Sequence, residues 1–334
     1  MKFGLFGGAI AERGSESMDS VGYKAFIDYV KEADRCNFHS LFVVEHHFSG
    51  IGQVSASTNL LAYLAGITEN IRLGTGVLVL PWHNPVMLAE QLATVDLVSN
   101  GRLDVGVGKG YRDMEFSGFA IPKEEANARY EESLEIIKKS WLSSERFSVK
   151  SKNWKFDDIV VEPAPVQKPH PPIWVGAGRP ETIQAAAKNN FNVLLDQFAG
   201  TLKTIERLND FKLGCELVDR TFDPMQIALN RTIIITKSEE ETEVAILRRN
   251  EAQKRIDKFG KLPGNEVENN NGEADTKDNA YIIGQPEQVI ERLQELQKIG
   301  FEYILMTTIG DQESLRFFSD EVMPVFTFTA KAAE

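Results

Sequence analysis

Short, continuous apolar runs alternate along this chain with longer stretches of helical periodicity. The run Leu41-Phe42-Val43-Val44 is typical. It lacks polar alternation, so it reads as a strand buried on both faces, as in a parallel sheet. The pattern predicts strands near 2–6, 40–45, 71–79, 102–108, 172–177, 191–196, 226–236 and 301–307. Helices are predicted near 19–36, 56–68, 85–99, 124–142, 181–189, 201–218, 238–258 and 286–299. Local chemistry supports them. Pro85 and Pro286 stand at helix starts, where a missing N–H costs nothing. Asn100-Gly101 and Gly300 stand at helix ends, where positive φ is needed.

Eight strand–helix units predict an α/β fold of the closed type, a TIM (β/α)8 barrel. The alternative is an open, doubly wound sheet. Its dinucleotide fingerprint needs Gly-x-Gly-x-x-Gly after the first strand, and Gly4, Gly7 and Gly8 have the wrong spacing. The chain therefore reads as one barrel domain over 1–334 with two long insertions. Residues 145–171 are β-prone and rich in proline, which predicts extended chain across the barrel's rim. Residues 260–280 carry Asn269, Asn270, Asn271, Gly272 and several acids, with almost nothing apolar. That composition fits either a lid that orders on binding or plain disordered surface.

Composition narrows the setting. No apolar stretch reaches the roughly 20 residues that cross a bilayer. Acidic residues follow the first apolar run too soon for a secretion signal, so a first strand is expected to begin almost at Met1. The two cysteines, Cys36 and Cys215, have no metal-ligand spacing and read as free thiols, which predicts a cytoplasmic protein. A formal net charge of −12 repels phosphate backbones and excludes nucleic acid as a partner.

Four segments fall at the C-terminal ends of predicted strands, where barrels gather their ligand sites. Glu45-His46-His47-Phe48 follows the second strand, and Gly74-Thr75-Gly76-Val77 continues to Pro81 in and after the third. Gly106-Val107-Gly108-Lys109-Gly110-Tyr111 follows the fourth, and Val175-Gly176-Ala177-Gly178-Arg179-Pro180-Glu181-Thr182 follows the fifth. The last is a strand, a glycine turn and a helix start, the arrangement that offers N–H groups to a phosphate. Arg179 and Lys109 add cationic donors. Glycine within the third strand fits either close approach of a flat ligand or tight helix packing. Tandem imidazoles behind a carboxylate point to proton transfer or ligand contact. None of His39, His83 and His170 stands in a metal motif, so no metal is expected.

Together with Met1 to Gly4, Leu97 to Phe116, Ile173 to Ala187 and Asp320 to Pro324, these segments resemble the bacterial luciferase-like flavin-dependent monooxygenases, on the alkanal monooxygenase side. The resemblance implies reduced FMN (FMNH2) as co-substrate and O2 as oxidant. It implies a flavin C4a-hydroperoxide that oxygenates a small organic substrate such as an aldehyde or ketone. His46 matches the family's proton-transfer group beside the isoalloxazine, with Glu45 and His47 at its side. Gly76-Val77 matches a non-prolyl cis peptide under the ring. Lys109 and Arg129 match basic phosphate ligands, Tyr111 lies in the same segment, and Ala177, Gly178, Arg179 and Thr182 match the phosphate turn. An apolar mouth with Phe6, Phe48 and Trp82 is expected to exclude water.

Three departures are visible. Gly108 stands where luciferase has its reactive cysteine, Lys109 replaces an arginine, and Gly178 replaces a serine. They point away from light emission and long-chain aldehydes. The absence of an NAD(P)H fingerprint suits an oxygenase fed by a separate NAD(P)H:flavin reductase. Family habit and the apolar positions of helix 85–99 predict a homodimer. Two other readings stand beside this one: a deazaflavin (F420)-dependent hydride-transfer enzyme on the same barrel, and a non-catalytic flavin-binding paralogue.

Overall fold

A computed structural model describes residues 1–11, 19–50, 52–256, 280–307 and 311–327. The fold is the parallel (β/α)8 barrel of the TIM type. Two compact units make up the chain. One comprises Met1–Gly7, Glu32–His39 and Val175–Glu334; the other comprises Gly8–Lys31 and Ser40–Trp174.

In the first unit the strands are Lys2–Gly7, Asn192–Leu195, Ile227–Ile235, Tyr281–Gly284 and Tyr303–Met306. All pair in parallel. Phe3 faces Ile304, Leu229 faces both Leu195 and Ile304, and Ile233 faces Ile282. Phe3, Leu229, Ile233 and Ile304 are buried, as an unbroken apolar run requires. Helix Pro286–Ile299 shows how sequence sets its ends. Pro286 opens it, the Gln288 side chain accepts from the Gln285 N–H at 3.0 Å, and Gly300 closes it at φ 116. Val289 and Leu293 are its fully buried positions. Truncating a leucine so placed typically costs about 2–5 kcal/mol.

In the second unit the strands are Ser40–Val43, Arg72–Thr75, Leu78–Val79 and Leu103–Gly108, again parallel. Gly74 is required here, because a Cβ at that position would lie 2.5 Å from the Phe42 ring. Helix Pro85–Val98 begins at Asn84, whose side chain accepts from the Val86 and Met87 N–H groups at 3.0 and 3.2 Å. It closes through Asn100 at φ 55 and Gly101 at φ 79, as the sequence predicts. Arg102 then ties the end of helix Ser57–Ala65 to the next strand by donating to the carbonyls of Ala65, Thr68 and Ile71.

Several boundaries differ from the sequence reading. The predicted strand 71–79 is two strands, Arg72–Thr75 and Leu78–Val79, with a cis peptide at Gly76-Val77 between them. The predicted strand 40–45 ends at Val43, which places Glu45 beyond it. The insertion 145–171 contains an antiparallel hairpin, Phe147–Lys150 with Lys155–Ile159, and cis bonds before Pro163 and Pro169. The pattern also misses strand Tyr281–Gly284 and helices Asp113–Gly118, Gln312–Glu321 and Met323–Thr327. Asp113–Gly118 and Met323–Thr327 are too short to show a clear period. The stretch expected at 260–280 lies, apart from Ala280, outside the described residues.

Candidate active site

The second unit carries a histidine–carboxylate cluster at the C-terminal end of its strands. Chain leaving Val43 turns inward at Glu45, which is 2% exposed. Its Oε1 accepts from His47 Nε2, Trp82 Nε1 and His83 Nε2, each at 2.8 Å, and its Oε2 accepts from the Val79 N–H at 3.1 Å. Burial pushes this carboxyl up. Hydrogen bonds from His47 and His83, electrostatic attraction by His83 and the Trp82 indole N–H outweigh it and bring the carboxyl down to about 2. A buried carboxylate with four donors is satisfied and ionised.

His46 answers to a different acid. Its Nδ1 lies 3.2 Å from Glu115 Oε1, and the same oxygen accepts the His47 backbone N–H at 3.0 Å. Glu115 is buried on helix Asp113–Gly118, and Arg112 Nη1 lies 3.9 Å from it. Adjacent histidines thus use separate carboxylates, as expected where side chains alternate around a strand's end.

Both rings line a cavity of about 420 Å³, together with Phe48, Ser49, Gln53 and Ser55. The chain between 46 and 54 is closed by a bond from the His46 N–H to the Val54 carbonyl at 2.8 Å. It is fastened again by the Ile10–Gln53 bridge and by the Ala11 N–H on the Gly52 carbonyl at 2.8 Å. Phe48 stands at φ 56, and its ring lies so close to Gly118 that a Cβ there would approach within 2.3 Å. Phe119 contacts the rings of His47, Phe48 and Trp82 with centroids at 4.8, 4.9 and 5.2 Å. These aromatic contacts form an apolar surround for the His47 ring. Phe6, expected at the same mouth, belongs to the other unit.

Three of the expected phosphate-side residues also belong to this unit. Lys109 Nζ lies 5.4 Å above the Tyr130 ring and, among the described residues, has no carboxylate within ion-pair distance. Tyr111 is packed under the Arg112 guanidinium, 5.6 Å from its ring centre. Arg129 is already committed to Glu125, with Nε–Oε2 at 2.9 Å. Gly108 backs onto the strand break, since a Cβ there would lie 2.6 Å from Val77 Cγ2.

Ala177, Gly178, Arg179 and Thr182 belong to the first unit, at the start of helix Pro180–Lys188. The Thr182 and Ile183 N–H groups return to the Arg179 carbonyl at 3.1 Å each, and Arg179 supplies no side-chain cap. The turn is held from behind by buried Arg207. Its Nε donates to the Gly178 carbonyl at 3.1 Å, and its Nη1 pairs with Asp196 at 2.8 Å. Asp196 also accepts from the Phe198 and Ala199 N–H groups.

Glu115, His83 and Arg207 shape these arrangements without having been singled out in the sequence. His83 carried one faint signal, a third imidazole just past the Pro81-Trp82 pair. Glu115 and Arg207 carried none, because isolated charged residues on helices read as solvated surface.

The oriented imidazole stands at the strand ends of a parallel barrel, the face on which enzymes of the barrel class carry their sites. The sequence profile of the luciferase-like monooxygenases matches residues 1–303. The oxygenase component of a flavin-dependent trigonelline monooxygenase from Acinetobacter baylyi is 31% identical over 98% of this chain and 96% of its own. An FMNH2-dependent dimethylsulfone monooxygenase from Pseudomonas putida is 27% identical over 78% of this chain and 76% of its own. Among solved structures, the oxygenating constituent of the 3,6-diketocamphane monooxygenase of Pseudomonas putida, in complex with FMN, superposes with a TM-score of 0.78 at 21% identity, covering 97% of this chain and 98% of that one. The chain belongs to the luciferase-like monooxygenase family and is an enzyme of the flavin-dependent monooxygenase kind.

Proposed function

We propose that this protein is the oxygenase component of a two-component system that takes reduced FMN and O2 and inserts one oxygen atom into a small organic substrate. A separate NAD(P)H:flavin reductase supplies the reduced coenzyme. The observation that carries the reading is the His46 imidazole on the cavity wall, oriented by Glu115 in a chain of this family.

The residues present suit a flavin mononucleotide. Lys109 offers a cation without a carboxylate partner among the described residues, and the N-terminal end of helix Pro180–Lys188 offers a favourable dipole to a phosphate. The resemblance assigns to the coenzyme Lys109, Tyr111 and Gly76-Val77 in one unit and Ala177, Gly178, Arg179 and Thr182 in the other. Arg129 contributes less than its sequence position suggests, because Glu125 already neutralises it. When bound, reduced flavin supplies the electrons that activate dioxygen.

The protein's own task is placement, dryness and proton control. His46 takes and returns a proton through the nitrogen that Glu115 leaves open. Phe119 and Trp82 pack against the neighbouring His47 ring and lend that side of the site apolar surface. Glu45 and His47 hold the strand ends in register and are positioning groups in this scheme. Exposed Met87, Leu97 and Val98 on helix Pro85–Val98 and Tyr63 on helix Ser57–Ala65 provide the surface for a homodimer. The free thiols Cys36 and Cys215 suit the cytoplasm.

The test is a substrate screen with FMN, an auxiliary reductase and NADH, following hydrogen peroxide release. The relative's trigonelline belongs in the panel beside small aldehydes and ketones. A true substrate lowers peroxide release and appears as its oxygenated product. If reduced FMN fails to bind in anaerobic calorimetry, the proposal is wrong.

A further inference from the structure

Family membership gives His46 its place but says nothing of what sets the proton on its ring. Glu115 lies 69 residues away in sequence, yet its Oε1 is 3.2 Å from His46 Nδ1. Its side chain is 2% exposed, so it needs donors from the protein rather than from water. It receives two, the imidazole and the His47 backbone N–H at 3.0 Å, with Arg112 Nη1 further off at 3.9 Å. An ionised carboxylate only accepts, so the proton of the neutral imidazole stands on Nδ1 and the lone pair on Nε2. The same oxygen grips main chain and side chain of successive residues, which fixes the ring's swing as well as its tautomer.

We infer that Glu115 is the positioning residue of His46: it selects the Nδ1-protonated tautomer and leaves Nε2 as the nitrogen that exchanges a proton with the ligand. The inference deepens the proposed function and takes its chemical consequence from it. Its structural content is independent of any ligand. A merely structural Glu115 would serve the His47 N–H alone. Glutamine presents the same oxygen to the His47 N–H and to the ring, so it gives up the charge and keeps the acceptor that dictates the tautomer. Glu115→Ala removes that acceptor. Glu115→Asp keeps the charge and shortens the reach.

The readout is the ring-nitrogen spectrum of the uniformly 15N-labelled protein without coenzyme, recorded where the imidazole is neutral. The chain has five histidines, and His46→Gln identifies the signals by their loss. The wild type is expected to show Nδ1 protonated and Nε2 bare. Glu115→Ala is expected to move His46 toward the other tautomer or a mixture, Glu115→Gln to keep the wild-type pattern, and Glu115→Asp to keep it in part. In the loaded enzyme, the ratio of product to oxygen consumed is expected to fall ~10- to 100-fold in Glu115→Ala, while affinity for reduced FMN stays within about twofold. An Nε2-protonated ring in the wild type, or an unchanged tautomer in Glu115→Ala, overturns the inference and leaves the oxygenase reading standing. The expected tautomers in a wild type that binds no reduced FMN and oxygenates nothing would do the reverse. Should Glu115→Ala fail to fold, the wild-type tautomer and the patterns of Glu115→Gln and Glu115→Asp still decide the matter.

Discussion

Replacing Glu45 by glutamine tests the cluster most directly. The Glu45 carboxyl stands at about 2 in the folded protein against an ordinary 4.5. That interval, at about 1.4 kcal/mol per pH unit, corresponds to roughly 3 kcal/mol of stability above pH 4.5. The sign follows from the lowered carboxyl. The contribution is complete above the unfolded value and is lost as pH falls from 4.5 toward about 2. Glutamine keeps one acceptor but turns an amide toward donors, setting the Val79 N–H or the ring N–H groups of His47, Trp82 and His83 against N–H. An unfolding entropy of ~2.1 cal/mol/K per residue gives about 0.7 kcal/mol/K for 334 residues, so ~3 kcal/mol lowers the Tm by about 4 °C. Differential scanning calorimetry of wild type and Glu45→Gln between pH 8 and pH 3.5 measures this. The gap is expected to be constant down to about pH 5 and to narrow below it by ~1.4 kcal/mol per pH unit. A gap that stays the same down to pH 3.5, or no gap at pH 7, refutes the argument that this carboxylate is held ionised by its donors.

Other changes probe separate parts. His46→Gln is expected to raise peroxide release at the expense of product by at least ~10-fold, with little effect on melting, as read by oxygen uptake against product. Arg207→Lys removes the guanidinium that joins the Gly178 carbonyl to Asp196; weaker FMN binding by ~10-fold in calorimetry is expected, and equal affinity would show that the turn holds itself. Gly108→Ala places a methyl 2.6 Å from Val77 Cγ2 and is expected to lower stability by ~1–3 kcal/mol in thermal melts.

Much of the fold was legible because a barrel strand buried on both faces must be apolar throughout, as Leu41 to Val43 are. Helix ends were legible where proline, asparagine or glycine has a conformational job, as at Pro85, Asn100 and Gly300. The break at Gly76-Val77 was not readable from periodicity, since Leu73 and Leu78 continue one apolar run on either side; only the family resemblance marked it. Of the candidate site, the tandem imidazoles announced themselves by following a strand. Their partners did not. Glu115 and His83 meet the cluster through contacts spanning 69 and 38 residues, which no local pattern encodes. Arg207 and Arg231 are both almost wholly buried, against the expectation for any lone arginine. Burial and neighbouring Arg207 pull Arg231 down to about 10 against the opposing effect of Asp196. Arg129, which the resemblance matches to a phosphate ligand, pairs with Glu125 one turn earlier, a contact the sequence reading did not include.

Glu115 lends one oxygen to successive residues, the His46 ring and the His47 amide. The side chains of Phe48, Ser49, Gln53 and Ser55 shape the cavity without entering that pair of bonds. Natural drift at those four side chains therefore has room to retune which molecules fit while the proton-handling nitrogen keeps its post.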